Sequence, residues 1–199
     1  MNLAKLRYQL RNWRAHWRAF YLGTYITIGG IAARMLMVGT SGRVRAYGVL
    51  NARIIRADGS VLDLGCVGRR VVTTAFVNYL RDDLANGAGS ADISAFKYHA
   101  CGTGTTAEAI GDTALVTEAT AALNPDTTRA VGTQVNTVAK TYTSVGTLLF
   151  DAGAAITEHG LFNAASAGTL MDRTVFAAIN VAAADSIQFT YSLTISDGG

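Results

Sequence analysis

The last long run of this chain alternates without a break. Ile187, Phe189, Tyr191, Leu193 and Ile195 are apolar or aromatic, and Ser186, Gln188, Thr190, Ser192 and Thr194 between them are polar. A period of two places the first set on one face of a β-strand and the second on the other. A chain that ends this way must build a sheet and cover its dry face. Tyr142–Phe150 and Thr169–Ile179 read as shorter strands, with turns at Asp151-Ala152-Gly153 and Ala165–Gly168. Residues 43–65 follow the same rule. Val44, Ala46, Gly48 and Leu50 share one parity, Ala52, Ile54 and Ile55 sit near a bulge, and Ala57-Asp58-Gly59-Ser60 turns the chain into Val61–Gly65 as a β-hairpin. Phe96–Ala100 is a further strand, running into a glycine- and threonine-rich turn at Gly102–Thr106.

One body segment has the helical period instead. Over Val71–Asn86, Val72, Phe76, Leu80 and Leu84 form a stripe widened by Val77 and Tyr79; Thr73 or Thr74 caps its start and Asn86-Gly87 stops it. The expected fold is mainly β: a β-sandwich or jelly-roll-like body with one internal α-helix and a basic helical N-terminal arm. Half of the residues are apolar and 16% are charged, so a sizeable core can be buried, and 21 glycines with one proline suit short strands and tight turns.

The arm is set apart by charge. Residues 1–57 hold Lys5 and nine arginines with no acidic residue, a formal charge of +10, whereas residues 58–199 carry −7. Such a split divides an attachment arm (residues 1–42) from a separately folded body (residues 43–199). Leu3, Leu6, Leu10, Trp13, Trp17 and Phe20 recur at helical spacing beside a stripe of Arg7, Arg11, Arg14 and Arg18. Arg7, Arg11, Trp13, Arg14, Trp17 and Arg18 are the candidate partner-binding residues. A membrane-surface helix and a phosphate-binding helix share this pattern. Tyr21–Thr40 is broken by Arg34 and by glycines, so no membrane span is expected, and the chain reads as made in the cytoplasm.

Motifs for chemistry are missing. There is no HExxH, no GxSxG, and the Gly102–Thr106 loop lacks the Gly-Lys-Ser/Thr ending of a phosphate-binding loop. Cys66 and Cys101 have no metal spacing and read as two reduced thiols packed as small hydrophobes. His16 reads as a surface residue; His99 and His159 would act as base or ligand only with a distant carboxylate or cysteine beside them. No catalytic residue, metal, cofactor or small-molecule substrate is expected, and the chain reads as a non-enzyme. Glu118 and Glu158 read as structural carboxylates that accept loop backbone hydrogen bonds or pair with Arg129 or Arg173.

Two stretches carry a resemblance. Gly102–Glu118 reads GTGTTAEAIGDTALVTE, and Ile156–Ile195 contains TEHGLF, a hairpin and the alternating final strand. Together they resemble small virion proteins of tailed bacteriophages, both head-decoration proteins and the collar-like domains of tail-fibre and baseplate proteins. The resemblance covers residues 43–199. It implies a structural virion component, foremost a capsid decoration or cement protein that binds the major capsid protein as a homo-oligomer, with a trimer favoured. A tail, collar or baseplate part is the alternative, and a nucleic-acid-binding module using the basic arm is the alternative of another class. In this picture Asp112, Glu118, Glu158, Leu161 and Phe162 define the fold. Asp112 would cap a short Thr113–Ala119 segment with Leu115 inward, and Glu158 would fix a turn before Leu161 and Phe162.

Overall fold

A computed structural model describes residues 25–28, 31–34, 45–86, 92–126 and 128–196. The chain divides into two units, Met1–Val44 with Asp197–Gly199, and Arg45–Ser196. In the first, β1 (Tyr25–Ile28) and β2 (Ile31–Arg34) form a two-stranded antiparallel hairpin. The expected arm helix over residues 2–20, and with it Arg7, Arg11, Trp13, Arg14, Trp17 and Arg18, lies outside the described residues.

The second unit is a nine-stranded antiparallel sheet with one α-helix among the described residues. Its strands are β3 (Arg45–Ile55), β4 (Val61–Val72), β5 (Tyr98–Gly102), β6 (Ala130–Val131), β7 (Thr133–Val135), β8 (Thr141–Leu149), β9 (Ala154–Phe162), β10 (Leu170–Val181) and β11 (Ser186–Ser196). They are bonded in the order β6-β5-β9-β10-β4-β3-β11-β8-β7. The sheet folds over, so that β5, β9 and β10 face β3, β11 and β8. Across the gap the His159 ring lies 4.4 Å from that of Phe189, and Phe176 lies 6.1 Å from the same ring.

The alternating final strand is β11. Its Ile187, Phe189, Tyr191 and Leu193 are buried beside Leu50, Ala52 and Ile54 of β3 and Leu148 of β8. Ile195, at the strand's end, is 41% exposed. The strand outruns the layer that covers it. The β3–β4 turn is tied by Asp58, which accepts from Ser60 N at 2.8 Å.

Helix α1 spans Thr74–Asn86 rather than starting at Val71, because Val71 and Val72 still belong to β4 and pair with β10. Thr73 is the cap: its hydroxyl accepts from Phe76 N at 3.2 Å and donates to Leu170 O at 2.6 Å. Phe76 and Tyr79 both meet the Phe96 ring edge-on, at 5.1 and 5.0 Å. The sequence stripe is corrected at its far end, where Leu84 is 79% exposed. The buried face runs through Phe76 and Tyr79, and Leu84 lies a full turn beyond Phe96, where the body no longer covers the helix.

No helix among the described residues is long and apolar enough to cross a membrane.

Candidate functional site

Among the described residues, the long connection from β5 to β6 has no helix or strand between Thr103 and Arg129, apart from single bridges. A structureless run of this length needs another source of order, and two buried arginines provide it. Glu158 of β9 is fully buried and accepts from Gly104 N (3.0 Å), Val116 N (3.1 Å) and Thr117 N (2.8 Å). Its remaining capacity is taken by Arg173 Nε on neighbouring β10, at 2.8 Å. Arg173 also donates to Asp112 at 3.0 Å and to Thr106 O at 2.9 Å. Burial works against the guanidinium charge, but the hydrogen bonds to Glu158 and Asp112 outweigh it and raise the Arg173 pKa.

The second clamp is Arg129, which forks onto Glu118 at 2.8 and 3.0 Å and donates to Ala164 O and Ala167 O. Its guanidinium carbon sits 3.5 Å above the centre of the Phe162 ring. The planar fork thus ties the loop, the β9–β10 turn and an aromatic face together.

Two details differ from the sequence reading. Asp112 caps nothing on Thr113–Ala119, which is not helical; it accepts from Ala109 N at 2.9 Å and from Arg173. Glu158 fixes no turn before Leu161, because both lie inside β9. Leu161 and Phe162 are buried on opposite faces of that strand. Leu161 packs in the main core, while Phe162 packs with Ala100, Leu115 and Leu170 in a second small core. The loop covers the outer face of β5, β9 and β10, which is why five consecutive residues at the start of β10 are buried.

The inner face holds a polar chain that spacing alone did not reveal. His99 Nδ1 lies 3.0 Å from His159 Nε2, and His99 Nε2 lies 2.8 Å from Ser144 Oγ. All three residues are fully buried. The register signal was available only once Cys101 was paired opposite His159 and β5 was brought beside β9. A serine beside two imidazoles has the elements of a nucleophile and a base, but no substrate can reach atoms sealed between sheets. Cys101, next to them, is buried, and burial followed by the charges of Glu118 and Glu158 pushes its thiol pKa up, which keeps it protonated. Cys66 departs from the expected buried thiol: it is exposed, and no disulfide joins the two. Among the described residues no cluster of three or more His, Cys, Asp or Glu could hold a metal.

A hollow lies where β4 and β10 separate. These strands pair only at Asp172↔Val72 and Arg173↔Val71. Beyond that point they diverge around a cleft of about 440 Å³ floored by Ile54, Val67, Phe176 and Ile179. Cys66 and Leu64 line its β4 side. Arg56 spans the far end, donating to Asn180 O at 3.3 Å and to Asp185 at 2.7 Å. A polar hollow of about 240 Å³, lined by Asn51, Arg53, Asp63 and Gln188, offers no comparable apolar floor.

Compared with known protein families, with curated proteins and with solved structures, the chain matches none.

Proposed function

We propose that the protein is a non-enzymatic structural component of a tailed-phage virion, a decoration or cement protein that binds the outside of the head as an oligomer. In this reading the folded-over sheet is a β-sandwich of jelly-roll type, and the basic arm docks on acidic capsid surface. One observation carries it: the residues of the resemblance meet in a single locked unit. Glu158, Asp112, Glu118 and the Gly102–Thr106 loop spend their hydrogen-bonding capacity on one another and on Arg129 and Arg173, so the motif works as a folding device. The sealing of Ser144, His99 and His159 supports a non-catalytic role. Many weakly bound copies on a lattice gain by effective concentration.

The test is to add purified full-length chain to heads, tails and naked DNA, and to follow co-sedimentation. Binding to heads that survives nuclease treatment is the expected result. Binding to tails alone moves the protein to the collar or baseplate. Binding to DNA alone, falling steeply with salt, overturns the structural reading in favour of a nucleic-acid module.

A further inference from the structure

We propose that the buried His99–His159 pair is an acid-operated latch on the corner where β5 meets β8 through β6 and β7. Closed, the two rings share one proton at their contact; a second proton there opens the latch. The inference goes beyond the proposed function and does not depend on where the protein resides.

The first argument is placement. His99 of β5 reaches His159 of adjacent β9 through one ring nitrogen and Ser144 of β8, on the facing layer, through the other. It therefore ties the two layers together at the corner. Short strands β6 and β7 run past it, and Gly132 between them sits so close that a Cβ there would meet the ring's Nε2 at 2.7 Å. Gly146 of β8 closes another side of the ring in the same way. A ring packed this tightly cannot turn away from His159 while the corner is shut.

The second argument is a proton count. His99 Nδ1 and His159 Nε2 are 3.0 Å apart, so one must donate and the other accept. Whichever tautomer each ring adopts, the closed pair carries at most three protons on its four ring nitrogens. Ser144 Oγ can donate or accept, so it suits either arrangement. A fourth proton sets N–H against N–H and makes both rings cations, which repel. The open form thus binds more protons than the closed one, and closure weakens as pH falls.

The surroundings leave that count unchanged. The titratable groups on the inner side with the pair are Cys101 on β5, Asp172 on β10, Tyr142 on β8 and Tyr191 on β11. Burial raises the Cys101 thiol and the Tyr142 phenol, so neither supplies charge near neutral pH. From β3, β4 and α1 come Leu50, Val72 and Phe76, which are apolar. Glu118 and Glu158 are matched to Arg129 and Arg173 in the clamps. Asp172 can favour one imidazolium, but it adds no acceptor between the two facing nitrogens.

The test follows amide-exchange protection in the full-length chain between about pH 7.5 and 5.0. An opened pair takes its last proton near the ordinary histidine value of about 6.5, so the opening constant at residues 130–135 should rise roughly thirtyfold over this range. Ile187–Leu193 should change less than about threefold. No rise at 130–135, or an equal rise in both segments, overturns the proposal. In His99→Gln the amide still offers a donor and an acceptor but does not titrate, so the rise should shrink to below about threefold. Asp172 is intact in that variant; a response that persists belongs to the carboxylate and overturns the latch. Nitrogen NMR of the imidazoles supplies a readout with both rings in place, in a chain carrying His16→Gln to remove the third histidine. One nitrogen of the pair should stay unprotonated at about pH 5.5. Two imidazolium rings there, with residues 130–135 still protected, also overturn the proposal.

Discussion

The sheet turns back on itself at two corners, built in opposite ways. At one, β6 pairs with β5, and after Gly132 the same run pairs with β8 as β7. Gly132 N donates to Lys97 O at 2.7 Å, and a Cβ on this residue would collide with Ser144 Oγ and crowd the His99 ring. Gln134 and Tyr142 secure the same corner: Gln134 donates to Tyr142 and to Ser94 O, and Tyr142 donates to Phe96 O. At the other corner β4 crosses over, with Gly68 tucked against Thr174 and Thr174 donating to Arg69 O at 3.2 Å. Two residue pairs later the strands part. The first corner is completed by the chain itself. The second is held by a short seam and left open below it. The difference teaches that one corner is fixed by packing against buried side chains, and the other by a two-pair seam backed by a buried ion pair.

The largest expected effect tests the seam. Arg173 lies both in the two-pair seam and in the buried ion pair, so Glu158→Ala leaves a buried charge without its main partner and frees three loop amides. Equilibrium denaturation should register a loss of about 3–5 kcal/mol. A loss below 1 kcal/mol would mean that the seam is not held electrostatically. Gly132→Ala comes next, attacking the closed corner by crowding Ser144 and His99; overpacking of this kind costs about 1–3 kcal/mol. If Gly132→Ala proves neutral in the same assay, the two corners are less different than their packing indicates.

Acid should act at the open end. Backbone donation from Ala182 and then the Arg56 hydrogen bond hold the Asp185 carboxyl below its ordinary value. The sign follows: its contribution is complete above the unfolded-state pKa of about 3.9 and is lost as pH falls through the lower folded value. The Tm difference between the natural chain and Asp185→Asn should therefore be present at neutral pH and vanish in strong acid. A constant difference across that range would mean Asp185 acts through packing alone. The smallest effect sharpens the contrast most. Leu64→Asp, on the exposed wall of the cleft, should alter the isolated body's stability by no more than about 0.5 kcal/mol. A loss of several kcal/mol would place Leu64 in the core and close the open corner on paper.

Local pattern made the strands legible. β11 could be read because its face is dry along nearly its whole length, and α1 because Phe76 and Tyr79 share a side at helical spacing. The pairing of Glu118 with Arg129 and of Glu158 with Arg173 was readable as one of a few options, since a low-charge body leaves few partners for a buried carboxylate. What failed depended on distance. His99 and His159 are 60 residues apart and meet only through the β5–β9 register. Leu84 obeyed the helical period, but no periodicity reports where the covering layer stops. The cleft arises from two strands that part, and each of them looks ordinary in sequence. The hairpin at Tyr25–Arg34 was hidden because glycines and short apolar runs carry no strong alternation.

The Glu158 clamp has a consequence for variation. It grips the loop by main-chain amides at Gly104, Val116 and Thr117, while Thr105, Thr106, Ala107, Ala109 and Ile110 turn their side chains to solvent. Shape and sequence are therefore uncoupled over this stretch. The curve is dictated from below by one carboxylate and one guanidinium, and the outward letters can be rewritten without consulting the core. Such a loop is a mount: a fixed frame on which successive generations can display different chemistry to whatever lies outside.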